Sequence, residues 1–331
     1  MRNETCAHSG WPRLKLAFLS LALLAALRPA SAADLVVTQY KISMCSVPWL
    51  VAFDEQIFSK AGLDVTGVIT GGGGGSVLRN VFANPLPYGE VAVSAVLAAK
   101  RQGLDVVIVN TGILSGGEAS VVTKPNSDIK TIADLVGKKV AITTARSLSE
   151  VTLVMALQAK GLDPKTVPRI AAGGYGQGLT MLDQDVVAAA SLLIPLSIIS
   201  RDKYRTVFSN DEVLKPYVGT VGVTTRAFAK EHPDVIRKII ATRRAGLKAY
   251  SADPAKYVSS LAKEFNLEPD VMKEAIATER KFHLVSEGNI DREQLQLIAD
   301  GLMLVGEIKE PVNWDELIDE SFLPDDLKSK R

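Results

Sequence analysis

The side chains that could hold or transform a small molecule fall in a few short stretches of the 331-residue chain. Arg146 stands between an apolar run ending at Thr143-Thr144 and the segment Ser147-Leu148-Ser149-Glu150. That segment has the spacing of a capping box, in which Ser147 and Glu150 reciprocally satisfy the first N–H groups of a helix. A guanidinium beside helix-end N–H groups can grip a carboxylate or sulfonate, and a solvated surface arginine has the same sequence signature. Met44, Cys45 and Trp49 cluster early, and Tyr175 sits in Gly173-Gly174-Tyr175-Gly176. Apolar and aromatic walls with a few polar anchors are what a small-molecule cleft needs, although Trp49 fits a core aromatic equally well. Gly71 to Gly75 join the apolar run Val65–Ile69 to a helical run beginning at Ser76. Glycine lets a ligand approach the main chain, so Gly73 and Gly74, followed by unpaired helix N–H groups, are candidates for holding an anion or polar oxygen. A flexible connector is the alternative. No Lys follows the last Gly, and Ser76 stands where a dinucleotide fingerprint needs Gly, so neither phosphate motif is present.

Catalytic chemistry finds less support. Residues 1–32 read as a secretory signal peptide: Arg2, Arg13 and Lys15 precede the apolar run Leu16–Leu27, and Ala30-Ser31-Ala32 offers a small-x-small cleavage site. The run is too short to span a bilayer. The mature chain then begins at Ala33, outside the cytoplasm, and retains only His232, His283 and Cys45 from the usual nucleophile, base and metal-ligand set. Two distant histidines and one thiol give no metal spacing and no nucleophile–base pair, so no cofactor and no metal are expected. A single cysteine also forbids an internal disulfide. The leader carries four basic residues and one acid, so the 38 basic and 37 acidic residues of the whole chain become 34 and 36, a balance of −2. With no basic cluster either, nucleic acid is excluded as a partner.

Apolar strand-like runs at Leu35–Thr38, Val65–Ile69, Val91–Ser94 and Val106–Val109 alternate with helical periodicity. One helix is expected from a Ser46 cap to Ala61, others from Ser76 and over Ala95–Gln102. Nearly all-apolar strands alternating with helices indicate an α/β fold with parallel sheets covered on both faces. Ligands in such sheets sit beyond the carboxyl ends of the strands, which places Ser43–Trp49, Gly71–Ser76, Ser94 and Thr111 on one rim. The pattern restarts after Ala119–Thr123, with strands at Val140–Thr143, Arg169–Ala172 and Val187–Leu192. After Val218–Thr224 the chain is helical in period to its end.

In the order and spacing of these stretches the sequence resembles periplasmic solute-binding proteins of ABC importers, of the nitrate, taurine and alkanesulfonate class with relatives that bind thiamine-pyrimidine precursors. The resemblance rests on Val47-Pro48-Trp49, Ile57 to Val65, the glycine loop, Glu90 to Ser94, Ile132 to Ala141, Ala188 to Pro195 and Ser321-Phe322-Leu323-Pro324, and spans the mature chain. It implies a two-lobed type II fold, each lobe a mixed, mostly parallel sheet flanked by helices. Lobe 1 would comprise residues 33–119 and 219–331 with its helical tail, and lobe 2 residues 120–218. A monomer would close on a small ligand between the lobes and deliver it to a permease with an ATPase subunit. Met44, Cys45, Trp49, Gly73, Gly74, Ser94, Thr111, Thr144, Arg146, Ser147 and Tyr175 would line that site. Leu193-Ile194 stand where such proteins often carry an aromatic and an acid before Pro195, which argues against an amine-bearing ligand. Arg146 stands where small residues are frequent, which favours an organic anion. An enzyme on the same scaffold, such as a lyase or dehydratase, and a sensor for a membrane kinase are the competing readings.

Overall fold

The computed structural model describes residues 33–71, 74–114 and 116–330. The leader expected at residues 1–32 and the candidate Gly73 lie outside the described residues. Strand β1 (Ala33–Val37) pairs in parallel with β2 (Val65–Ile69) and β3 (Tyr88–Ala92). The chain then forms β4 (Val107–Thr111) and leaves for a second sheet. There it builds β5 (Ala119–Thr123), β6 (Val140–Ile142), β7 (Arg169–Ala171), β8 (Ala189–Leu193) and β9 (Arg205–Ser209), and it returns as β10 (Thr220–Thr224). The sheet orders are β2-β1-β3-β10-β4 and β7-β6-β8-β5-β9. Each sheet thus has the same plan, a parallel trio beside one antiparallel strand that arrives directly from the other half, β10 in the first and β5 in the second. The fold is α/β, with two mixed sheets flanked by helices.

Both crossings run side by side. Gly112 N–H donates to Thr220 C=O and Gly219 N–H to Ile113 C=O, each at 2.8 Å, and Leu114 bridges Val218 antiparallel. Beneath them lies a buried polar knot. Glu90, fully buried on β3, accepts at one oxygen from Trp49 Nε1 (3.0 Å) and Arg243 Nε (2.9 Å), and at the other from Thr220 Oγ1 (2.9 Å). Arg243 places one N–H of each terminal nitrogen on a carbonyl, Nη1 on Ser286 (2.6 Å) and Nη2 on Gly112 (3.1 Å). Every charge there is paired and hydrogen-bonded, which is the condition under which buried ions are tolerated. Gly112 is required at this point, because a Cβ would fall 2.1 Å from Glu90 Oε1.

The largest core packs the first sheet against the helical tail, and two smaller clusters cover the second sheet. Helix Pro233–Ala252 lies along helix Val47–Asp54. Helix Arg292–Leu304 touches helix Val93–Arg101 of the first half and helix Leu148–Ala159 of the second, so it straddles the two. Among the described residues no helix is long and apolar enough to cross a membrane.

Several local expectations need correction. The single helix expected from Ser46 to Ala61 is broken: Ser43 caps a short turn over Met44–Ser46, a helix runs over Val47–Asp54, and Gln56 at φ 55° interrupts it before Ile57–Lys60. Ser46 caps nothing and instead accepts from Lys41 N–H at 2.8 Å. The strand expected over Val91–Ser94 ends at Ala92, because the ladder to β10 stops there and a helix begins at Val93. Ser147 does accept from Glu150 N–H (3.4 Å), but the carboxylate of Glu150 returns to Arg146 N–H (2.6 Å) and Arg169 Nε (2.9 Å), so the cap is not the reciprocal box.

Candidate ligand-binding cleft

A cavity of about 50 Å3 lies between the two sheets beside the crossings. The first half contributes Thr38 and Gln39 from the end of β1, Ser43 and Cys45 from the turn that follows, Gly74 from the start of helix Gly74–Ala83, and Ala92. The second half contributes Thr143, Ser147, Leu148, Tyr175 and Leu193, and the crossings add Glu118 and Thr220. Apart from Glu118 and Thr220, which stand at the amino ends of the antiparallel strands β5 and β10, each wall comes from a strand's carboxyl end or a helix's first turn, the place where backbone groups and short polar side chains converge. The cavity runs on in both directions. Gly74 is shared with a mouth of about 260 Å3 lined by Arg79, Gln102, Thr144 and Arg146, and Gln39 and Tyr175 are shared with an apolar pocket of about 390 Å3 on the other side. The three adjoin one another along the junction of the halves, and together they are termed the groove. A larger hollow of about 460 Å3 between Tyr40 and Glu264 is lined only by the first half and its tail.

Glu118 is the one carboxyl, among the described residues, that lines the cavity. Its carbonyl accepts from Ile194 N–H at 2.9 Å, which fixes its backbone to the second sheet, while its carboxyl receives the Ser43 hydroxyl and the Met44 N–H from the first half. Burial pushes that carboxyl up to about 7; the two hydrogen bonds oppose the rise, and Glu90 and Glu279 reinforce it. Cys45 donates its thiol to Thr38 C=O at 3.2 Å. Burial, with Glu90 and Glu118 nearby, holds that thiol well above its ordinary range, so it is a neutral wall rather than a thiolate. Burial also raises the Tyr175 phenol, which stays protonated.

Of the residues singled out from the sequence, Cys45, Gly74, Ser147 and Tyr175 line the cavity, and Thr144 and Arg146 line the mouth. Four others point elsewhere. Trp49 is fully buried, stacked on Phe58 and edge-on to Tyr88, so it belongs to the core and not to the rim. Met44 is packed in the same core. Thr111 is turned toward the tail, bonded to Ser286 Oγ (2.7 Å) and the Asn289 carbonyl. Ser94 lies inside helix Val93–Arg101 with its hydroxyl buried and unpaired. Arg146 has left-handed backbone (φ 63°) and directs Nε to Glu307 at 2.6 Å, where Arg101 also binds (2.7 Å), so it stands at the mouth and not in the cavity. Ser43, placed on the rim from the sequence, lines the cavity as well, whereas Thr38, Gln39, Glu118 and Thr220 were missed by the sequence reading. An acid within the small-residue run Gly116-Gly117-Glu118-Ala119-Ser120, entering a strand, was the available signal for Glu118.

The profile of the NMT1/THI5-like family matches residues 45–257, more than half of the chain and nearly all of both sheets. The chain belongs to the NMT1/THI5-like family. Among curated proteins none matches it. Solved structures share its fold at low identity. The alkanesulfonate-binding protein SsuA from Xanthomonas axonopodis pv. citri, bound to MOPS, is 15% identical with a TM-score of 0.72, covering 86% of this chain and 96% of its own. The periplasmic nitrate-binding protein NrtA from Synechocystis PCC 6803 is 11% identical with a TM-score of 0.71, over 88% and 86%. A DSZB mutant in complex with biphenyl-2-sulfinic acid is 14% identical with a TM-score of 0.59, over 88% and 97%. This NMT1/THI5-like protein therefore has the two-lobed periplasmic binding protein fold of importer receptors.

Proposed function

We propose that the protein is an extracytoplasmic receptor, which closes its two lobes on a small organic anion of the sulfonate or carboxylate type and delivers it to an ABC permease. The observation that carries this reading is the groove itself. It runs between two sheets joined by paired crossing segments, with Arg79 and Arg146 lining one end and an apolar pocket at the other. Arg79 has no ion-pair partner among the described residues, and Arg146 is just over half exposed, so both retain donors for an anionic head. A neutral thiol with no imidazole beside it favours release of the ligand unchanged over conversion. Residues 33–119 with 219–331, and 120–218, are the lobes of this proposal.

The test is a thermal-shift series on the purified protein with methanesulfonate, propanesulfonate, propanoate, butanoate and nitrate, followed by mass spectrometry of the recovered compound. A ligand at 100 times its dissociation constant adds about 2.7 kcal/mol to stability, which a melting curve resolves. Stabilisation by at least one member, recovered intact, is the expected result. A series with no stabilising member, or chemical conversion of the one that binds, overturns the proposal.

A further inference from the structure

The arginine-lined end of the groove leaves its middle unexplained, because the central cavity is lined by a single formally chargeable carboxyl and, among the described residues, by no Lys, Arg or His. We infer that Glu118 is a specificity-determining residue, and that the ligand presents an N–H donor, as an amine, amidine or amide, to its carboxyl group. The inference rests on the receptor reading above and reverses the expectation drawn from Leu193-Ile194, because Glu118 brings into the same cavity, from the crossing, the acid that those positions lack.

The geometry supports it in three ways. Glu118 is held from both halves: its carbonyl is tied to Ile194 of the second sheet, and its carboxyl to the Ser43–Met44 turn of the first. It is therefore fixed in place when the lobes meet, as a selecting group must be. Its capacity is also unspent. A carboxylate offers about four lone-pair sites, and the Ser43 hydroxyl and Met44 N–H occupy two. The remaining acceptors belong to a group that lines the cavity. Finally, the other polar walls add no countercharge: Ser43 has committed its hydrogen to Glu118, Cys45 its hydrogen to Thr38 C=O, and Thr220 its hydrogen to Glu90. A second negative charge brought into this small buried space would face Glu118 with no cation beside it, so the anionic head stays at the mouth and the donor takes the middle. The apolar pocket that continues past Tyr175, walled by Ile42, Leu196, Ile199 and Phe265, accommodates the carbon body.

The ionisable groups facing Glu118 are Glu90, Glu279, Cys45, Tyr175 and Tyr217. Burial raises the thiol and both phenols, so none of these three accepts a proton from the ligand below pH 8; Glu90 is engaged by Trp49, Arg243 and Thr220, and Glu279 by Tyr250.

Matched pairs of probes decide the matter. Titration calorimetry on the full protein at pH 8 compares propanoate with 3-aminopropanoate, butanoate with 4-aminobutanoate, pentanoate with 5-aminopentanoate, and propanesulfonate with 3-aminopropanesulfonate. In wild type the best amino member binds at least tenfold more tightly than its amine-free twin, and the advantage shrinks below pH 7 as Glu118 takes a proton. In Glu118→Gln, an isostere that keeps the Ser43 contact, the advantage falls to within threefold and loses its pH dependence. Equal binding of twins in wild type, or an advantage that survives Glu118→Gln, overturns the inference and leaves the anion receptor standing. Failure of every probe in every pair removes the small-anion reading and the inference with it.

Discussion

Glu118 should make the free protein less stable as pH rises, and Glu118→Gln should remove that loss. Its carboxyl is raised from the ordinary 4.5 to about 7 because burial penalises the charged form more than the Ser43 and Met44 bonds favour it. Between those two values the unfolded chain releases the proton while the native protein keeps it. The stabilisation from this raised carboxyl is therefore complete below pH 4.5, declines through the window and is gone above about pH 7. At about 1.4 kcal/mol per pH unit the window is worth roughly 3 kcal/mol. Gln has the same shape and an oxygen for the Ser43 hydroxyl, yet no proton to lose. The variant should match wild type near pH 4.5 and exceed it by about 3 kcal/mol at pH 8. At roughly 2 °C per kcal/mol for a large chain, that is about 6 °C in melting midpoint. Calorimetric melts of both proteins at half-unit steps from pH 4.5 to 8 supply the difference curve, in which every other titrating group cancels. A constant difference across the range would refute the burial argument. A variant less stable at pH 8 would show that the carboxylate's hydrogen bonds outweigh its desolvation.

Two further outcomes follow from the packing. Arg243→Met should cost about 3 to 5 kcal/mol by leaving Glu90 buried without its cation, and Glu90→Gln in the same chain should restore part of that loss; urea midpoints of the single and double variants check it. Gly301→Val should wedge helix Arg292–Leu304 away from helix Leu148–Ala159, since even a Cβ there would lie 2.6 Å from Val151 Cγ1 and 2.8 Å from Met155 Cγ, and X-ray scattering should record a larger radius of gyration than wild type.

The alternation of the two halves was legible because strands covered on both faces are largely apolar, and β4, β8 and the run into β10 stand out for that reason. Strand β9 was missed: Arg205–Ser209 is a sheet edge that exposes part of each face, so its residues show no apolar run. The loops that line the cleft were found through their glycines and capping serines, yet the direction of a side chain on such a loop is set by tertiary partners. Trp49 was drawn inward by Glu90, and Arg146 outward by Glu307, two acids distant in sequence from the residues they orient. Arg243 was not singled out, because the stripe that marks a buried helix face counts only apolar residues. Glu118 was hidden by its setting, an acid among glycines that resembles a solvated turn until the crossing is seen to pass between the lobes.

The exchange of strands between the sheets dictates when this chain can fold. In the first sheet β10 lies between β3 and β4, so the first 111 residues to be made contain four of its five strands and cannot bring β4 onto the trio. The gap stays open until Thr224 has arrived, with the whole second sheet in between. A chain delivered N-terminus first, from a ribosome or through a narrow pore, cannot close its first sheet until about two-thirds of it has passed.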